Sequence, residues 1–180
     1  MTFIRMRCLL VALATLLLPL LSSAQSGKDV VAPQVAASYD PVARGMNFQI
    51  AIVMKIRPGF HVNAREVTES YLIPTDVRSE VPAGFKLGDI LYPKGTLQTF
   101  SFSRNKQLNV YTDTVVVHVP LTALSNAPLG AQHIPLKLRY QACSNEVCLP
   151  PVTRDLEAIV NVVEKSSAAK PANAELFPKH

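Results

Sequence analysis

Apolar and polar residues alternate along several stretches of the chain with a period of two, the pattern of a half-buried β-strand. The clearest stretch is 47–56, in which every second residue is Phe, Ile or Met. Residues 114–119 and 136–143 alternate in the same way, and the valines of the former suit a pleated surface because they are β-branched. Antiparallel sheets with one covered face follow from this pattern. Further strands are predicted at 156–163, 30–37, 60–63 and 85–91.

Proline and glycine recur between these stretches. Proline lacks a backbone donor and glycine permits positive φ, so both favour turns over strand interiors. Short strands interrupted this often predict an all-β fold, an immunoglobulin-like antiparallel β-sandwich, with a barrel as the main rival. The predicted turns lie at Pro58-Gly59, Pro74, 82–84, 93–95, Pro120, 128–130 and Pro135.

The first 24 residues have the composition of a secretory signal peptide. Arg5 and Arg7 precede an apolar run at 9–21, and Ser22-Ser23-Ala24 offers a small-residue cleavage site. An uncleaved anchor is the alternative, although a membrane span normally needs about 20 apolar residues. We therefore expect export from the cytosol to a compartment in which disulfides persist.

The remainder is expected to form one domain with loose ends. We predict a short polar leader at 25–29, a β-sandwich domain at 30–164 and a disordered tail at 165–180, and no membrane span in the mature chain. The net charge is +5 for 18 basic and 13 acidic residues. Without Arg5 and Arg7 it is 16 − 13 = +3, which is too mild to indicate nucleic-acid binding.

Only two cysteines, Cys143 and Cys148, lie outside the predicted signal peptide. If 136–143 and 148–155 pair as a hairpin, the four residues between the cysteines form a loop of common length. Directly opposite Cα atoms would then lie about 4.5 or 5.5 Å apart. Both spacings allow a disulfide.

This bridge would act either as a staple or as a redox switch. Closing so short a loop stabilises a fold by only about 2 kcal/mol. The alternation puts Cys143 on the face of Lys137 and Arg139, so its sulfur is expected outside the core unless a bulge intervenes, open to attack by another protein's thiolate. Pro150 and Pro151 remove two backbone donors, which leaves the local edge free for a docking partner.

Other readings of the same residues stay open. The bridge would be purely structural in an exported immunoglobulin-like module used for binding or scaffolding. A metal site is weaker, because His61, His118 and His133 lack the paired spacing of structural zinc ligands. We interpret His61 as a surface or hydrogen-bonded histidine, and Tyr140 as a core residue whose hydroxyl finds a partner. No catalytic triad or cofactor motif is evident, so we expect no cofactor.

The cysteine segment resembles the N-terminal periplasmic domain of the thiol:disulfide interchange protein DsbD. The resemblance rests on Tyr140, Cys143, Cys148 and the following Pro150-Pro151, with softer similarity at 58–63, 71–74 and Val110-Tyr111. It spans roughly residues 30–163.

Membership of that family implies an immunoglobulin-like sandwich with Cys143 and Cys148 as the redox pair. It also implies an activity of protein-disulfide reductase type, which acts with separate partner proteins. Such a domain takes electrons from a thioredoxin-like partner, fed by a membrane segment, and passes them to periplasmic disulfide proteins. A loop with an aromatic cap covers the cysteines in the family, and Phe100 or Phe102 is the matching residue here.

Three features depart from the family pattern. The linker between the cysteines has four residues, whereas the best-known members have five. The chain also ends at His180 with neither a membrane segment nor a thioredoxin-like domain, so we expect a separate membrane electron donor. The acidic residues associated with the family's cysteine surroundings are not evident near Phe100, although Glu146 lies between the cysteines.

Overall fold

The structure, a computed structural model, describes residues 26–177. The predicted signal peptide at 1–24 and the last three residues of the predicted tail lie outside the described residues. Among residues 26–177, no helix is long and apolar enough to cross a membrane.

The described chain consists of short β-strands and three-residue 3₁₀ helices. The 3₁₀ helices are Gly27–Asp29, Ser101–Ser103, Ser166–Ala168 and Ala174–Leu176. The strands are β1 (Val31–Ala37), β2 (Val42–Ala43), β3 (Asn47–Ile56), β4 (His61–Asn63), β5 (Asp76–Arg78), β6 (Phe85–Leu87), β7 (Thr96–Thr99), β8 (Gln107–Tyr111), β9 (Thr114–Ala123), β10 (Gly130–Tyr140), β11 (Ala142–Cys143) and β12 (Val152–Val163).

The strands form three four-stranded sheets, with the orders β1-β3-β9-β6, β2-β12-β10-β5 and β11-β4-β8-β7. Every pairing is antiparallel except that of β2 with β12. One hydrophobic core joins the first two sheets, because buried residues of β3 and β9 pack with those of β10 and β12. The predicted all-β, immunoglobulin-like sandwich is confirmed.

The third sheet carries the cysteines and continues strands of the other two. β11 follows β10 after one residue, and β4 follows β3 through a turn at Pro58-Gly59. Gly59 has a φ of 82° in this turn, a value that suits glycine because it has no Cβ. The turn therefore positions His61 at the start of β4.

Two prolines that were predicted to mark turns lie inside strands instead. Pro120 is within β9 and Pro135 within β10. The carbonyl of Pro120 accepts from Gly88 N, and that of Pro135 accepts from the Ser79 hydroxyl. Both donors lie just outside a three-residue edge strand, so the position of the missing proline N–H faces the sheet margin, where proline is tolerated.

Residues 166–177 of the predicted tail contact the sandwich in the structure. Pro171 forms an antiparallel bridge with Tyr39, and the Asn173 amide donates to Ala37 O. Leu176 O lies 2.8 Å from the imidazole Nε2 of His118 on β9, and Phe177 packs against the same ring. The tail is ordered because the outer face of the first sheet offers it both hydrogen bonds and apolar contact.

Candidate functional site

Cys143 and Cys148 form a disulfide with their Cα atoms 3.9 Å apart. This spacing is shorter than either of the two predicted values. Between them, Ser144 N donates to Val147 O, and the Ser144 hydroxyl accepts from Glu146 N and Val147 N. Ser144 therefore closes the four-residue loop as a turn former.

Cys143 was predicted to lie outside the core unless an irregularity intervenes; an irregularity is present, and the residue is fully buried. The strict alternation of β10 ends at Tyr140, and Gln141 is not part of a strand. After this irregularity Ala142 and Cys143 are both buried and pair with β4 rather than β12. Cys148 is partly exposed and Val147 next to it is 58% exposed, so the accessible half of the bridge is Cys148.

Gln141 holds the cysteine segment to its neighbours. Its side-chain amide donates to Leu149 O at 3.2 Å, and its Oε1 accepts from Asn63 Nδ2 and Ile73 N at 3.3 Å each. The backbone adds a bond from Leu149 N to Ala142 O. One side chain thus links both arms of the cysteine loop to β4 and to the segment before β5.

His61 lies directly opposite Cys143 in the pairing of β4 with β11, so the two side chains are on the same face. It is only 2% exposed, and burial lowers its pKa from 6.5 to about 4. Its Nε2 has no hydrogen-bond partner among residues 26–177. Sequence reasoning missed this residue as part of the site, and the prediction of a surface or hydrogen-bonded histidine is wrong. The softer family similarity at 58–63 was the available signal.

Phe100 and Phe102 lie beside this histidine. The Phe100 ring stacks on the imidazole with centroids 3.8 Å apart and planes 15° apart, and Phe102 stacks on Phe100 at 5.6 Å. Both rings are partly buried and also pack on a small cluster of Leu72, Leu108 and Val110. The Ser101 hydroxyl donates to Asn145 O, which ties this loop to the cysteine loop.

Three other predicted site residues lie nearby with different surroundings. Tyr140 is fully buried in the core, and its hydroxyl donates to Gly27 O at 3.1 Å. Burial raises its pKa. Because Tyr140 presents no surface, it is not available to cap the bridge or to dock a partner. Pro150 and Pro151 are exposed and lie in a break between the Cys148 bridge and β12.

Metal ligation finds no support in residues 26–177, where no group of three or more His, Cys, Asp or Glu side chains is placed to hold an ion. The chemistry available at this site is therefore that of the two sulfurs, an imidazole and stacked aromatic rings.

Among solved structures, the N-terminal periplasmic domain of ScsB from Proteus mirabilis matches with 17% identity and a TM-score of 0.48, covering 72% of this chain and 46% of that chain. The chain thus spans about half the length of that relative. AvmM, which catalyses macrocyclization in alchivemycin A biosynthesis, matches with 10% identity and a TM-score of 0.31, covering 74% of this chain and 91% of that one.

No curated protein sequence matches the chain. The family model for the thiol:disulfide interchange protein DsbD, N-terminal, matches residues 27–159. This match covers most of the chain and includes the disulfide, His61, Phe100 and Phe102. The chain therefore belongs to the family of DsbD N-terminal domains.

Proposed function

We propose that this protein is a periplasmic thiol-disulfide interchange domain, which passes electrons from a thioredoxin-like donor to exported disulfide proteins through Cys143 and Cys148. The observation that carries the proposal is the asymmetry of the bridge. Cys148 is partly exposed on a turn, whereas Cys143 is fully buried beneath it. In such a pair, the exposed cysteine can form the mixed disulfide with a partner, and the buried cysteine can then resolve it.

The difference in exposure between Cys148 and Cys143 supports one order of steps, in which Cys148 reacts first. A donor thiolate attacks Sγ of Cys148, the bond to Cys143 breaks, and Cys143 leaves as a thiolate. The donor's second thiolate then attacks the mixed disulfide, so the donor departs oxidised and both cysteines are reduced after taking up two electrons and two protons. In the onward step Cys148 attacks the acceptor's disulfide, and Cys143 displaces the acceptor as a dithiol.

Phe100 is the proposed cap of this site. Its ring covers His61, which shares a face with Cys143, and its loop is bonded to the cysteine loop through Ser101 and Asn145. The exposed Pro150 and Pro151 lie on the other side of Cys148 and supply a rigid docking edge without backbone donors. The family relationship supports a separate membrane protein as the electron source and the periplasm as the compartment.

One observation favours a second function, a binding or scaffolding module with a structural bridge. The complete burial of Cys143 is what a staple requires. The two functions differ in whether Cys148 reacts with a thioredoxin-fold protein.

Single-cysteine variants test this difference. A thioredoxin-fold protein with one active-site cysteine is activated as its thionitrobenzoate mixed disulfide and mixed with Cys143→Ser or Cys148→Ser. We expect Cys143→Ser, which keeps the accessible thiol, to couple at least about tenfold faster than Cys148→Ser. Failure of both variants to couple while they remain folded would overturn the exchange function and leave the structural bridge.

A further inference from the structure

The imidazole of His61 is buried in the disulfide form, and no hydrogen bond within residues 26–177 accounts for the position of its Nε2. Its Nε2 is an unpartnered polar atom in residues 26–177, and leaving such a group unpaired costs about 1–3 kcal/mol. The Phe100 ring stacks on the imidazole, and the His61 backbone is paired within the third sheet. An imidazole at this position therefore makes the disulfide form less stable than an apolar ring of the same shape would.

Reduction of the bridge would supply the missing partner. Directly opposite residues in an antiparallel pair have Cβ atoms about 4.5–5.5 Å apart, and Cys143 is the residue opposite His61. A disulfide sulfur has no proton to donate, whereas a thiol donates and a thiolate accepts. Reduction thus gives hydrogen-bonding capacity to the residue that lies directly opposite His61.

We propose that His61 is the hydrogen-bond partner and proton acceptor of the Cys143 thiol in the reduced protein. This inference rests on the proposed exchange function and adds a residue to it. When a mixed disulfide has formed at Cys148, the Cys143 proton passes to the free imidazole nitrogen. The Cys143 thiolate then attacks Sγ of Cys148, the bond to the acceptor sulfur breaks, and the departing acceptor thiolate takes the proton from the imidazolium.

The need for such a residue follows from burial. A thiolate on a fully buried sulfur lacks solvation, and a neighbouring positive charge favours it. The lowered pKa of His61 keeps the ring neutral beside the uncharged disulfide, and this is the form that can accept a proton. A thiolate at Cys143 would raise that pKa in turn, because opposite charges stabilise each other.

Few other charged groups lie beside His61 that could exchange a proton with the Cys143 thiol. The cavity beside His61 is also lined by Arg57, after β3, and by Asp113, in the turn between β8 and β9. Arg57 lies over the Phe60 ring instead. Glu146 of the cysteine loop is exposed, and the Phe100 loop brings serines at 101 and 103. Burial is the cause of the lowered pKa of His61, with no charged neighbour contributing.

Two substitutions separate the functions of the imidazole. His61→Phe keeps a ring to stack on Phe100 but has no nitrogen, whereas His61→Gln keeps a hydrogen-bonding amide but takes up no proton. The first readout is the equilibrium of the Cys143–Cys148 bridge with glutathione. The second is the rate at which Cys143 releases glutathione from a mixed disulfide preformed at Cys148, followed by acid quenching and mass spectrometry.

We expect His61→Phe to shift the equilibrium about tenfold towards the disulfide, which is about 30 mV for a two-electron couple. Release of glutathione should slow at least about tenfold in both variants, while His61→Gln recovers most of the equilibrium. Wild-type values of both quantities in folded variants would overturn the proposal, because a purely structural role would change stability alone. If His61→Phe fails to fold, an unchanged release rate in His61→Gln overturns it equally.

The same measurements keep this proposal apart from the exchange function. A wild-type bridge that glutathione cannot reduce removes the function itself. A reducible bridge with unaffected His61 variants removes only the role of His61.

Discussion

Cys143 lies directly opposite His61 in the pairing of β11 with β4, although the two residues are 82 positions apart in the chain. The pairing puts a fully buried sulfur and a buried, neutral imidazole on one face of the third sheet. The other residue of the bridge, Cys148, is partly exposed. This division between an exposed and a buried position is the basis of the predictions below.

Removal of the Phe100 ring should open the bridge to reductants. Phe100 stacks directly on His61 with ring centroids 3.8 Å apart, whereas the Phe102 centroid lies 6.3 Å from the imidazole. We expect dithiothreitol to reduce Phe100→Ala at least about fivefold faster than wild type, because exchange rates depend on access to the sulfur. Phe102→Ala is the matched control, since it loses packing on the same cluster. Equal acceleration in both variants would mean that loosened packing, rather than a cap, sets the rate.

Acid should destabilise the oxidised protein through His61. The pKa of His61 is about 4 in the folded protein and 6.5 in the unfolded chain, so between these values the unfolded chain binds a proton that the folded one does not. The stabilising contribution is therefore complete above pH 6.5 and is lost as the pH falls towards 4, by up to about 3 kcal/mol.

Urea unfolding at about pH 7 and about pH 4.5 measures this loss. His61→Gln, which does not titrate, should lose less stability than wild type between the two conditions. A parallel decline in both proteins would show that His61 is not protonated on unfolding. Carboxylates contribute equally to both and cancel in the comparison.

Loss of the Gln141 side chain should destabilise the fold. Its amide bonds to Asn63, Ile73 and Leu149 are partly buried, and leaving these partners unsatisfied costs about 1–3 kcal/mol. We expect Gln141→Ala to lower the free energy of unfolding by that amount in urea titrations. Gln34→Ala, at an exposed position of the edge strand β1, is the control and should change it by less than about 0.5 kcal/mol. Similar effects of both would contradict the linking role of Gln141.

Deletion of residues 165–180 should weaken the sandwich without altering the disulfide. The tail contributes hydrogen bonds to Ala37 and Ser38 and the contact of Phe177 with His118, which lie on or next to the first sheet. We expect a loss of about 2 kcal/mol in the free energy of unfolding and an unchanged equilibrium with glutathione. Phe177→Ala should show a smaller part of the same loss. A changed glutathione equilibrium would indicate coupling between the tail and the cysteine sheet.

The regular strands could be predicted because their alternation is local. Residues 47–56 were predicted as one strand and form β3 with the same bounds. Pro120 and Pro135 could not be placed from sequence, since their position depends on where the short neighbouring strands end. Proline is excluded only where a neighbouring strand requires its N–H.

The site was predicted in its residues and not in its geometry. The spacing of Cys143 and Cys148 was enough to predict a bridge, and the bridge is present. Cys143 is buried because Gln141 interrupts the alternation of β10. After this residue, β11 pairs with β4 instead of β12. No local sequence pattern predicts this change of the paired strand. His61, which lies on β4, was not assigned to the site for the same reason.

The reduction potential of the Cys143–Cys148 bridge tests the central claim most directly. It is measured by equilibrating the mature domain with glutathione buffers and counting alkylated thiols by mass spectrometry. An exchange domain should have a value between about −270 and −180 mV, the range from thioredoxin to protein disulfide isomerase. A value below about −300 mV would mark a structural bridge and contradict the account.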